Sequence, residues 1–176
     1  MTTVLAVETD GDVFYAYDSM VTGQNEKSQL EQPKVFVNNG AVYGVAGGLV
    51  YLNELRYAEM PAPPEDVTET DRWATLELCP AVRELISVVS PKRPEDGFET
   101  NLLVTANSRV YEVSGDTGWC RAKSGVYFIG SGGQFGAGAL AAGADLYSAI
   151  RVAAKLDAYT GYDLTVASAS ELLRGT

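Results

Sequence analysis

The chain opens on two short apolar runs, residues 4–7 and 13–17, with a polar stretch between them. Each reads as a strand. Asp10-Gly11 between them predicts a hairpin, because both central residues of a type I′ turn need positive φ. A two-residue turn there places Val4 opposite Tyr17 and Thr3 opposite Asp18, so the hairpin sets a carboxylate beside the start of the chain. A polar connection, residues 20–32, leads through Pro33 to a second hairpin over 34–44, turned by Asn39-Gly40. Its register sets Lys34 opposite Val45 and next to Gly44. Both hairpins thus gather polar or small residues at one end.

After Ala46-Gly47-Gly48 the pattern predicts a helix over 49–59, stopped by Met60-Pro61-Ala62-Pro63-Pro64. An acidic loop, 65–71, follows. Residues 73–90 carry a helical pattern that Pro80 interrupts. The better helix starts at Pro80, with Val82, Leu85, Ile86 and Val89 on one stripe, and Ser90-Pro91-Lys92-Arg93-Pro94 closes it. Strands are predicted over 100–106 and 109–114, around a turn at Asn107-Ser108, then a loop over 115–125 and a short buried strand over 126–129. Gly130-Ser131-Gly132-Gly133 opens a small-residue helix over 134–145. A further helix (146–158), a last strand (162–167) and a short tail helix (171–174) complete the chain. Runs of strands and helices in this segregated order predict α+β layers, with antiparallel sheets between helices, in one domain over 1–176.

Composition narrows the chemistry. A chain of 176 residues with 46% apolar and 20% charged residues supports one substantial core. Its net charge of −10 argues against nucleic acid or an anionic membrane surface as the main partner. Two cysteines, Cys79 and Cys120, are too few for a disulfide framework or a Cys-based zinc site. They read as buried or half-buried thiols. No signal-peptide pattern opens the chain and no apolar run reaches membrane-spanning length, so a soluble, cytoplasmic protein is expected. The chain has no His, which excludes Ser-His-Asp and Cys-His catalysis and His-ligated metals. A hydrolase built on this chain needs a carboxylate, a Lys or an α-amino group as its base.

Thr2 follows an initiator Met that is removable when the second residue is small. Removal leaves a hydroxyl and a free α-amine on one residue, and an α-amine titrates near about pH 8. An amine-activated Thr is one route to a nucleophile without His. Taken alone, Thr2 reads as a β-former at a strand start. Lys34 can lower the pKa of a nearby hydroxyl and amine through its charge, and Asp18 can hold that Lys. Alone, the two read as a surface ion pair. Gly44, with Gly47 and Gly48, offers backbone amides to a developing oxyanion, or simply turns the chain from strand to helix. The Gly130–Gly133 loop lacks the Lys of a phosphate-binding P-loop, and Ser131 reads as a helix N-cap. Asp157-Ala158-Tyr159-Thr160-Gly161 reads as a helix C-terminus.

Taken together, these residues resemble the proteasome-type N-terminal nucleophile hydrolases, and among them the HslV-type peptidase and proteasome β-subunits. The likeness rests on Thr2-Thr3-Val4-Leu5-Ala6-Val7, on the positions of Asp18 and Lys34 relative to Thr2, and on Gly44-Val45-Ala46-Gly47-Gly48. It rests equally on Ile129-Gly130-Ser131-Gly132-Gly133 and Asp157-Ala158-Tyr159-Thr160-Gly161. It covers nearly the whole chain, whose length fits a mature subunit without a propeptide. No single motif is specific; the ordered set is.

The resemblance implies a four-layer αββα sandwich, two antiparallel sheets between helix layers. It implies Thr2 as nucleophile and its α-amine as proton acceptor, with Lys34 tuning the hydroxyl and Asp18 beside it. The Gly44 amide would be the oxyanion donor, and Ser131, Asp157 and Thr160 would order the amine and its water. Thr160 stands where Ser is common. A threonine peptidase of this kind implies no cofactor, a homo-oligomeric ring of six- or seven-fold symmetry, single or stacked, unfolded polypeptide as substrate, and an ATP-driven unfoldase as partner. Two departures stand out. The hairpin from Lys34 to Gly44 is shorter than in the HslV-type subunit, and residues 60–73 are Pro-rich and acidic where the family continues a helix. Two other readings stay open. One is a catalytically silent structural or assembly protein that keeps the fold with Met1 uncleaved. The other is an N-terminal nucleophile amidase acting on a small molecule.

Overall fold

The computed structural model describes residues 2–23, 26–89, 101–115 and 117–175. The first half of the chain forms β1 (Thr3–Glu8), β2 (Val13–Asp18), β3 (Met20–Thr22), β4 (Lys27–Gln29), β5 (Val35–Asn38), β6 (Ala41–Ala46), α1 (Leu49–Tyr57), α2 (Thr70–Trp73) and α3 (Cys79–Val89). The second half forms β7 (Asn101–Ala106), β8 (Arg109–Val113), β9 (Trp119–Cys120), β10 (Val126–Gly130), α4 (Gly133–Ala141), α5 (Leu146–Leu156), β11 (Leu164–Ser168) and α6 (Ala169–Arg174). One antiparallel sheet has the order β10-β1-β2-β11, a second has β5-β6-β7-β8-β9, and β3 pairs with β4.

Strand alternation sorts the side chains into layers. From the first sheet, Val4, Ala6, Val13, Tyr15 and Ile129 meet Val35, Val42, Leu103 and Val110 of the second. The Tyr15 hydroxyl lies 2.6 Å from Thr105 Oγ1 across this interior, satisfying a phenol that is fully buried. The alternate positions face outward to helices. Leu5 and Ala16 pack with Ala149, Ile150 and Ala153 of α5. Tyr43, Val45, Leu102, Val104 and Tyr111 pack with Leu52, Leu55, Trp73, Leu78 and Val82. The fold is therefore α+β, two antiparallel sheets face to face between two helix layers, as expected.

Both hairpins take the register their turns predict: Val4 pairs with Tyr17, and Val35 with Gly44. Asn39 (φ 46°) and Gly40 (φ 81°) form the expected all-positive turn. The first turn differs. Gly11 has φ 101°, but Asp10 is not in the positive region, so the turn is not type I′. The register survives because the loop length is the same, with Thr9 N–H donating to Asp12 O at 2.9 Å.

Elsewhere the chain is more regular than its pattern. The connection over 20–32 contains the β3–β4 pair, and the loop over 115–125 contains β9. Helical structure runs from Thr70 through Pro80 to Val89. The turn over Ala74–Leu78 widens into a π-helix, in which Cys79 N–H donates to Ala74 O five residues back. A widened turn accommodates a ring that brings no N–H of its own. Residues 90–94, expected to close this helix, lie outside the described residues. The next helix, α4, stops at Ala141 rather than running to 145. Gly143 (φ 91°) and Ala144 donate to Leu140 O and Ala139 O, a glycine-based stop. Asp145 then caps α5 by accepting from Ser148 N–H. Among the described residues, no helix is long and apolar enough to cross a membrane. None of them form a cluster of three or more His, Cys, Asp or Glu side chains able to hold a metal ion.

Candidate active site

The start of β1, the ends of β2 and β10, and the residue before β5 come together at one end of the sandwich. Antiparallel pairing does this: Thr3 lies opposite Gly130, Val4 opposite Tyr17, and Leu164 opposite Asp18. Asp18 and Lys34 form an ion pair there, Nζ to Oδ1 at 2.9 Å, with both side chains essentially sealed from solvent. Asp18 is held from four directions. Oδ1 also accepts from Thr3 N–H at 2.9 Å, and Oδ2 accepts from the N–H groups of Met20 and Gly161, each at 3.1 Å. The Lys34 ammonium donates in addition to Met20 O at 2.5 Å. Burial pushes the Lys34 ammonium below its ordinary value of 10.5, outweighing the opposite pull of the Asp18 carboxylate.

A second network lies on the other side of Thr3. Asp157 Oδ2 accepts from Ser131 Oγ at 2.7 Å and from Thr160 Oγ1 at 2.6 Å. Thr160 Oγ1 lies 2.5 Å from Thr3 Oγ1. The one hydroxyl proton of Thr160 is spent on the carboxylate, so in the Thr3–Thr160 contact the donor is Thr3. Gly132 fits beneath this chain because it has no side chain. A Cβ there would stand 2.3 Å from Thr3 Oγ1, 2.5 Å from Thr160 Oγ1 and 3.1 Å from Asp157 Oδ2.

A cleft opens beside the ion pair. It is lined by Thr2, Lys34 and Gly47 and by the apolar side chains of Val21, Leu30, Val45, Leu49 and Leu52. Thr2 is 5% exposed, and its carbonyl packs on Gly130, where a Cβ would lie 1.8 Å from Thr2 O.

Of the residues singled out from the sequence, Thr2 and Lys34 line the cleft and Asp18 sits behind Lys34. Ser131, Asp157 and Thr160 share one carboxylate. Gly44 is elsewhere. It lies in the middle of β6, paired with Val35 and Leu103, and its Cα faces Val4 and Tyr15 inside the sandwich. Val45 N–H donates to Lys34 O, so by ladder alternation the Gly44 N–H points toward β7 and away from the cleft. Gly47, just past the end of β6, lines the cleft instead. Among the described residues, the N–H groups of Gly47 and Gly48 donate to no protein acceptor.

The residue pattern points to Gly47 only as one of three glycines able to offer an amide, and gives no sign of the hydroxyl of Thr3, the Met20 and Gly161 backbone groups or the fit of Gly132. The expected Thr3–Asp18 pairing was the one signal available for Thr3. Backbone donors leave no signal in residue type.

No protein-family model and no curated protein matches the chain. Solved structures do. BPH of Thiobacillus denitrificans, in complex with epoxomicin, superposes with a TM-score of 0.74 at 16% identity, over 94% of this chain and 97% of that chain. HslV of Trypanosoma brucei gives 0.67 at 23% identity, over 94% and 98%. Anbu (ancestral beta-subunit) of Yersinia bercovieri gives 0.67 at 18% identity, over 94% and 80%. At such identities the likeness speaks for architecture. The chain has the four-layer N-terminal nucleophile hydrolase fold of HslV and the other proteasome-type proteins.

Proposed function

We propose that the protein is a threonine-type peptidase subunit of a ring-shaped, self-compartmentalised protease, acting through Thr2 once Met1 is removed. The observation that carries this reading is the convergence of Thr2, Lys34 and Gly47 on one cleft, with the Lys34–Asp18 pair buried behind it. The hydroxyl of Thr2 attacks the peptide carbonyl carbon while its proton passes to the α-amine, directly or through water. The oxyanion that forms is met by the N–H of Gly47, which takes the role expected of Gly44. The C–N bond then breaks, the departing amine takes the proton, and an ester to Thr2 remains. Water, deprotonated by the same α-amine, hydrolyses the ester and restores the hydroxyl. Two of the three Lys34 N–H donors go to Asp18 and Met20. The third serves the Thr2 oxygen, and its positive charge favours the alkoxide that develops there. Ser131, Asp157 and Thr160 order the amine and its water.

The apolar lining of the cleft suits a peptide with an apolar side chain at the residue whose carbonyl is attacked. Unfolded polypeptide is the substrate, the ring is homo-oligomeric, and an ATP-driven unfoldase is its partner. The fold relative from Thiobacillus denitrificans is in complex with epoxomicin, which makes that compound the first ligand to apply. The test is hydrolysis of a peptidyl-leucine aminocoumarin amide by Met-processed protein, with and without epoxomicin. Activity that epoxomicin blocks and Thr2→Ala abolishes is expected. Undiminished hydrolysis by Thr2→Ala contradicts the mechanism.

A further inference from the structure

We infer that Thr3 is a positioning residue for Thr2, holding the proposed nucleophile in register by clamping the two carboxylate networks together. The inference rests on the reading of Thr2 as nucleophile. Thr3 is fully buried. Its N–H donates to Asp18 Oδ1 at 2.9 Å, and its hydroxyl donates to Thr160 Oγ1, 2.5 Å away, which in turn donates to Asp157. The circuit closes through the backbone, because the Gly161 N–H next to Thr160 returns to Asp18 Oδ2 at 3.1 Å. Thr3 therefore stands between the carboxylate that holds Lys34 and the carboxylate that holds Ser131 and Thr160.

Covalent geometry carries this to Thr2. The peptide unit is planar, so the N–H of Thr3 and the C, O and Cα of Thr2 lie in one plane. Anchoring the N–H on Asp18 fixes one edge of that plane. The close approach of Gly130 to Thr2 O fixes the other. The amine and hydroxyl of Thr2 then keep only the rotations about its own Cα–C and Cα–Cβ bonds. The Thr3 hydroxyl adds a tie that the amide cannot supply. It locks the Thr3 side chain to Thr160 and hence sets the plane relative to Ser131 and Asp157. A threonine at this position looks like a β-former at a strand start, yet valine would fill the space equally well without the second donor.

Thr3→Val tests the hydroxyl alone, since it keeps the branched shape and the N–H. On the peptidyl-leucine aminocoumarin amide, kcat is expected to fall by about ten- to hundred-fold with KM unchanged, the scale of a sub-ångström to ångström misplacement of a reacting group. Thr3→Ser is expected to restore most of kcat. Thr160→Val breaks the same link from its other end and serves if Thr3→Val does not fold. The double variant is expected to be no slower than Thr160→Val alone, because Thr160→Val already removes the link to Thr3 together with the Thr160 donor to Asp157. Wild-type kcat in Thr3→Val, failure of Thr3→Ser to exceed Thr3→Val, or multiplicative losses in the double variant overturn the inference. Thr2→Ala separates the two levels. If it is inactive while Thr3→Val is fully active, the positioning role alone is wrong; if it is active, the nucleophile reading is wrong.

Discussion

Replacing Lys34 by Met and Asp18 by Asn breaks one buried ion pair from its two sides, and the structure makes the costs unequal. In Lys34→Met the Asp18 carboxylate still accepts from three backbone N–H groups, those of Thr3, Met20 and Gly161. The loss is close to one charge-assisted hydrogen bond, about 1.5–3 kcal/mol. In Asp18→Asn the Lys34 ammonium loses its counter-charge and keeps only neutral oxygens, the amide oxygen and the Met20 carbonyl, at a site 2% exposed. The new amide also turns an NH₂ toward N–H donors. Breaking a buried pair from this side costs about 3–5 kcal/mol. In the double variant no unpaired charge stays buried, so it is expected to be more stable than Asp18→Asn alone. Thermal unfolding at neutral pH reads this out. At this chain length each kcal/mol moves Tm by about 2–4 °C, so Asp18→Asn should lose about 6–20 °C and Lys34→Met about half as much. Equal losses in the two single variants, adding up in the double, would refute the asymmetry and the coupling behind it.

Two further outcomes follow from the same geometry. Because burial pushes Lys34 below 10.5, the unfolded chain binds that proton more tightly than the folded chain. Stability therefore rises with pH from the lowered value toward 10.5. The buried phenols of Tyr15 and Tyr43 are pushed upward by burial and act in the opposite sense, their contribution being lost above about pH 10. Peptidase activity, which needs charged Lys34, should fall as pH rises toward 10.5 while Tm, corrected by the Lys34→Met curve, rises. Parallel decline of both quantities contradicts this assignment. Gly132→Ala should abolish activity and lower Tm, because the added Cβ meets two hydroxyl oxygens at 2.3 and 2.5 Å; an active, unshifted variant would show that the Thr3–Thr160 contact does not matter.

Much of this architecture is legible in the chain because its turns are explicit. Asn39-Gly40 dictates where Lys34 meets β6, and Asp10-Gly11 sets Asp18 beside Thr3, even though the latter turn adopts a different type. The β3–β4 pair is invisible to periodicity because Lys27, Ser28 and Gln29 are all exposed and polar. Pro80 reads as a break because the local rule is right for an α-helix; a π-helical turn is what evades it. The carboxylates and hydroxyls of the site are visible as residue types. The choice between Gly44 and Gly47 is not, because ladder alternation and the strand's end decide which amide faces the cleft. The donors on Asp18 from Met20 and Gly161 are backbone groups, which any residue but proline would supply.

A nucleophilic Thr2 needs a free α-amine, and the N-terminus of the chain made in its own host shows whether it has one. Intact mass on that preparation, with peptidase activity measured on the same sample, gives the answer. Chains that begin at Thr2 and hydrolyse the peptide substrate are expected. Chains that all retain Met1, which turns the needed amine into an amide, contradict a nucleophilic Thr2 and favour a silent structural protein of the same fold.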